Sequence, residues 1–183
     1  MTARILSLFF LVAVWLPAAT VPRMSFEQIV RDSPRAVHGV VVRSWSAWDA
    51  QRTAIWTHYE VRVSETLRGP SAQTLIISEP GGVVEDVAMS VPGAPRLEVG
   101  EEAVLFAYPT PLGHWRIRGW GQGRFPVETV AGRSVVRSPR VDAVKLTNRT
   151  AALTPESAWT PSGEDLAAFL GRVRRLIAVE SSR

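Results

Sequence analysis

The side chains able to do chemistry are few and scattered. His38, His58 and His114 are the three histidines, and there is no cysteine. A zinc site made from all three requires three separate chain segments to converge. Carboxylates at Glu79, Glu85 and Asp86 suit calcium by type, but the stretch lacks the ligand spacing of an EF-hand loop. No Gly-x-Ser-x-Gly elbow mounts a serine nucleophile. The glycines of Gly119-Trp120-Gly121-Gln122-Gly123 lack the following helix that a phosphate cradle uses. Glu101 and Glu102 read as solvated turn residues. No catalytic residue, metal ligand or cofactor is therefore expected. The alternative is a hydrolase or metal-dependent enzyme using His58 or His114 with a nearby carboxylate.

Binding chemistry is better represented. Between Thr53 and Gly69 the sequence alternates cleanly, with Ile55, Thr57, Tyr59, Val61 and Val63 on one face and Trp56, His58, Glu60, Arg62 and Ser64 on the other. A period of two in β-branched and aromatic residues marks a half-buried strand. The preceding segment, Ala36 to Trp48, pairs with it around the polar turn Asp49-Ala50-Gln51-Arg52. Symmetric pairing sets Val40 opposite Val61 and Val42 opposite Tyr59 in the core. The other face then aligns Trp45 with Trp56, Arg43 with His58, and Val41 with Glu60. Arg43, Trp45, Trp56, His58 and Arg62 thus form an aromatic-basic platform of the kind that marks interaction surfaces. A helix or the 138–160 segment lying over this face is the plain alternative. A second candidate contact region is Pro80 to Gly100, rich in Gly and Pro, with Met89, Val91 and Arg96 as contacts. A loop stiffened by Pro and shaped by Gly suits binding. Alternatively, Val87, Met89 and Val91 form an added strand or cap one end of the fold.

These residues need a scaffold. Ser25-Phe26-Glu27-Gln28 has the capping-box pattern, so residues 25–32 are expected as a short helix ending before Pro34. Further strands are expected at 74–78, 103–108, 114–120, 123–129 and 134–137, with glycine bends at 119–123. Residues 138–160 carry no clear pattern and are expected to wrap the surface. Ser162 caps a last helix over 162–180, with Leu166, Phe169, Leu170, Val173, Leu176 and Ile177 on one stripe. The fold expected is mainly β: an OB-like antiparallel barrel of five to seven strands, or a sandwich, with a short N-terminal and a C-terminal helix.

Residues 1–20 read as a secretory signal peptide: Arg4, then an apolar run from Ile5 to Leu16, then Pro17-Ala18-Ala19-Thr20. The run is shorter than the ~20 residues of a membrane span. An uncleaved anchor is the alternative, because Thr20 sits beside the expected cut. Residues 21–183 then make one domain, long enough for a core without disulfides. No stable membrane insertion is expected after the leader is removed. The formal net charge is +4 with no long basic run, which argues against a nucleic-acid partner.

The segments ending in VSETLRG, then TLIISEPGG, then SVPGAPRLEVGEEAVLF resemble a group of uncharacterised exported bacterial proteins. The likeness covers residues 36–125 and is densest over 61–106. That strand and glycine pattern is similar to the OB-like barrel of tissue inhibitors of metalloproteinases and netrin-like modules. The bacterial group has no established activity to carry over. The function expected is a non-catalytic binding module, secreted or periplasmic, whose partner is a protease or another exported or envelope protein. Those inhibitors act through an N-terminal cysteine, which this chain does not have, so their mechanism does not carry over.

Overall fold

The computed structural model describes residues 20–139, 145–147 and 163–182. Residues 1–19, most of the 138–160 segment and Ser162 therefore lie outside the described residues. In chain order the elements are β1 (Thr20–Pro22), α1 (Phe26–Arg31), β2 (Arg35–Trp48), β3 (Ile55–Arg68), β4 (Thr74–Pro80), β5 (Gly82–Val84) and β6 (Val87–Met89). They continue with β7 (Glu102–Pro109), β8 (Trp115–Ile117), β9 (Arg124–Val130), β10 (Arg133–Val136), β11 (Lys145–Thr147), β12 (Glu164–Asp165) and α2 (Leu166–Ser181).

The chain is mainly β, built on one large mixed sheet with a C-terminal helix. The strand order is β12-β10-β9-β7-β2-β3-β4-β8, and β8 also pairs with β7. All of these pairings are antiparallel except β4 with β8, which meet in parallel at Ile77 and Trp115. That contact makes the sheet mixed, where an antiparallel one was expected, and the eight strands exceed the five to seven expected. Two small sheets add to it: β1 with β11, which the sequence did not suggest, and the hairpin β5–β6.

The hairpin β2–β3 forms as expected, but in a different register. Val41 faces Val61, Arg43 faces Glu60, Trp45 faces His58 and Ala47 faces Trp56. The expected pairs Val40–Val61 and Val42–Tyr59 do not form. A bulge between Val41 and Arg43 takes Val42 out of the ladder, which adds one residue to β2 and restores the alternation beyond it. Trp45, Trp56, His58 and Arg62 still share a face, because β3 keeps its phase. Gly39 sits at a second irregularity, where a Cβ would come within 2.3 Å of the Arg62 carbonyl oxygen. Only glycine allows that approach.

Three other expectations shift. The strand at 114–120 shortens to β8, since the chain turns at Gly119, Trp120 and Gly121, all at positive φ. The last helix starts at Leu166 behind Asp165, whose carboxylate accepts from the Ala167 and Ala168 amides. The long loop 80–100 contains the hairpin β5–β6, as its added-strand alternative held. α1 follows the sequence: Ser25 Oγ accepts from Gln28 N and Gln28 Oε1 accepts from Ser25 N.

The two faces of the sheet bury separate cores. On one, α1 and α2 cover Ala36, Val104, Phe106, Phe125 and Val136. Phe26 meets Phe106 and Phe125 edge-on at 6.0 and 5.5 Å. Each buried Phe contributes about 1.5–3 kcal/mol through area alone. The other face collects Val37, Val41, Tyr59, Val61, Leu75, Ile77, Leu105 and Ile117.

Candidate functional site

The β2–β3 hairpin sets Trp45 opposite His58, and their rings lie 5.3 Å apart. The turn before β8 brings His114 to the same place. Its ring is 5.7 Å from His58 and 4.7 Å from Trp56. Arginine caps one end of the row and bridges the last two rings at the other. The Arg43 guanidinium stands 4.3 Å above the Trp45 ring, while Arg116 lies 5.9 Å from Trp56 and 5.0 Å from Trp120. Such cation–aromatic contacts contribute about 0.5–1 kcal/mol when exposed, more when dry. The result is a continuous line of rings running Arg43, Trp45, His58, His114, Trp56, Arg116 and Trp120.

The ends of this line differ in exposure. Arg43 keeps 65% of its side chain in solvent, beside Glu60 at 3.9 Å. Trp56 is 9% exposed, and its Nε1 has no hydrogen-bond partner among the described residues. His58 is half-buried, and its Nδ1 lies 2.8 Å from Ser78 Oγ on β4. Burial, and secondarily the neighbouring His114, hold the His58 imidazole below its ordinary range. Both effects favour the neutral imidazole. His58, Ser78, His114, Trp115, Ile76 and Thr74 line a groove of about 470 Å³ beside the ring row.

Of the residues expected to bind, Arg43, Trp45, Trp56 and His58 come together. Arg62 shares their face of β3 and is exposed, but it makes no ring contact or ion pair among the described residues. Arg96 reaches the opposite face of β3, and Met89 meets that strand at the Ile55 backbone. Met89 Sδ accepts from the Ile55 amide at 3.4 Å, and Arg96 Nη1 donates to Thr57 Oγ1 at 3.3 Å. His38 faces the helix-covered side and pairs with Glu102 at 2.8 Å, apart from the other two histidines.

The carboxylates do not gather. Glu85 and Asp86 are exposed at the β5–β6 turn. Glu79 is fully buried, with Oε2 taking Nε and Nη2 of Arg116 at 3.0 and 2.9 Å and Oε1 taking the Ile117 amide at 2.7 Å. Burial pushes its pKa up to about 7 against the pull of Arg116. Glu79 thereby clasps β4 to β8, which otherwise share one residue pair. Sequence reading missed Arg116, and it named His114 only for the enzymatic alternative, not as part of the platform. Their signal was the alternation His114-x-Arg116, which matches Trp56-x-His58 on β3.

Among the described residues no three His, Asp or Glu side chains group as a metal ion requires, and no helix is long and apolar enough to cross a membrane. No protein-family model, curated protein or solved structure matches the chain.

Proposed function

We propose that the protein is a non-catalytic exported binding module that engages another exported or envelope protein, a protease being one such partner. The observation that carries this reading is the ring row, which ends on the exposed Arg43. Clustered Trp, His and Arg side chains supply large rigid contact area and charge at little conformational cost, as binding hot spots do.

The circuit of pairings β2-β3-β4-β8-β7 and back to β2, with β4 and β8 parallel, supports an OB-like barrel. Such barrels bind chains across the face of their second and third strands, here β3 and β4, from which His58 and Ser78 reach the groove. Export rests on the sequence of residues 1–20. The resemblance over 61–106 to exported bacterial proteins points the same way.

A second reading, hydrolysis, draws on the His58–Ser78 contact. It is the weaker one. Ser78 is 2% exposed, and no carboxylate is bonded to His58 or His114 among the described residues, so the orienting third member of a triad is missing. Metal analysis of the purified protein, with His58→Ala and His114→Ala beside it, tests the metal-dependent form. Stoichiometric zinc lost in those variants would replace the binding reading. Affinity capture from the native envelope with wild type and Trp45→Ala tests the binding reading itself. A partner retained by wild type and lost by the variant is expected.

A further inference from the structure

Strand β2 has fourteen residues, but β7 pairs only with Arg35–Val40. At Val41 the same edge is closed by backbone bonds with Gly100 and Glu101. From Val42 to Trp48 the ladder runs on the β3 side alone among the described residues. The Asp49 amide bonds the Ala54 carbonyl across the turn. Antiparallel alternation therefore directs the amides and carbonyls of Ala47, Trp45 and Arg43 to β3 and those of Trp48, Ser46 and Ser44 outward. Three residues at two-residue spacing thus present donor and acceptor pairs along an edge left unpaired among the described residues. Its seven residues span about 23 Å.

The geometry points to Ser44–Trp48 as a strand-addition site for an extended acidic peptide segment of the partner. This deepens the binding-module reading and rests on it. An extended backbone is the ligand that matches alternating outward donors and acceptors. The acidic character follows from the side chains at the edge. Arg43 lies over Trp45 on one face, and Arg52 stands 5.9 Å from the Trp48 ring at the turn. The acidic neighbours are less available: Glu60 is about half as exposed as Arg43, and the Asp49 carboxylate takes the Thr53 amide and hydroxyl, both at 2.6 Å. Ser44 is exposed, while the Ser46 hydroxyl bonds Thr57 Oγ1 at 3.1 Å and packs against Gly82. Side chains of that strand alternate between the Trp45 and Trp48 faces, so anionic residues at every second position share the Trp45 face with Arg43.

The test uses the whole protein and a synthetic octapeptide alternating Glu with Val. Hydrogen exchange is followed by NMR at each amide of β2. Saturating peptide is expected to slow exchange at Ser44, Ser46 and Trp48 by at least about tenfold, with smaller changes at Trp45 and Ala47, whose amides already bond β3. The Lys–Val version is expected to bind at least about tenfold more weakly, and a Glu–Val peptide N-methylated along its pairing edge is expected to give no protection. Ser44→Pro removes an edge donor at a position where proline is tolerated and is expected to weaken peptide binding likewise. The peptide controls decide the matter if that variant does not fold. Equal affinity for the Lys and Glu peptides would overturn the proposal. So would edge amides already protected in the free monomer, or protection that appears with protein concentration alone and marks a second copy as occupant. An envelope partner captured through the ring row with no change at these amides would remove strand addition and leave the binding module standing.

Discussion

Glu79 offers the sharpest prediction, because two opposing effects meet on one buried carboxylate. Burial raises its pKa from the ordinary 4.5 to about 7, outweighing Arg116, the Ile117 amide and Arg96. The folded state then holds a proton that the unfolded chain has already lost between those two values. Stability from this group is complete below pH 4.5 and is lost as pH rises through 7. Between pH 5 and pH 8 the loss amounts to about 2.5 kcal/mol, at 1.36 kcal/mol per unit. His58 works in the opposite sense over part of the window, since its folded-state pKa is lowered. The clean quantity is therefore the stability difference between wild type and Glu79→Gln. Gln keeps an acceptor for the Ile117 amide and does not titrate. In urea titrations at pH 5, 6, 7 and 8 the difference is expected to fall steadily, moving the relative midpoint by about 1 M. A difference that rises with pH would refute the reasoning, because the Arg116 ion pair would then dominate over burial. A flat difference would mean that Glu79 does not titrate in the window.

Gly82→Ala is expected to destabilise the fold by about 1–3 kcal/mol, read as a lowered Tm. Its Cβ would lie 2.4 Å from Ser46 Oγ and 2.5 Å from Thr57 Oγ1, at a positive φ of 145°. His58 is expected to titrate below the ordinary imidazole value by NMR, and His114→Ala to move it upward, since His114 adds to the depression. Residues 1 to about 20 are expected to be absent from material secreted by the native host. N-terminal sequencing checks this, and an intact Met1 in a membrane pellet would support the anchor instead.

Much of the scaffold was legible because local chemistry enforces it. Ser25 and Gln28 close a capping box that needs nothing beyond the helix itself. The Ile55–Val63 alternation holds its phase because polar residues separate the apolar ones. Register failed where that contrast vanishes. Val40, Val41 and Val42 are equally apolar, so the pattern there carries no phase and the bulge at Val42 leaves no trace in composition. The platform was legible in part for the same reason. Trp45 and His58 belong to one hairpin, whereas His114 and Arg116 arrive through the β4–β8 contact. Glu79 and Arg116 stand 37 residues apart, and nothing local marks them as partners. Met89 and Arg96 were expected as contacts of a separate loop surface over 80–100, and no local signal showed that Arg96 would bond Thr57, on the face of β3 away from the platform.

The central claim is that the Arg43–Trp45 end of the ring row is a binding surface. The most direct measurement is the Kd of the captured envelope partner for wild type and for the Arg43→Ala/Trp45→Ala double variant, both checked for unchanged Tm. Loss of two adjacent hot-spot side chains predicts a Kd weakened by at least about thirtyfold. A folded double variant that binds the partner as tightly as wild type would contradict the account.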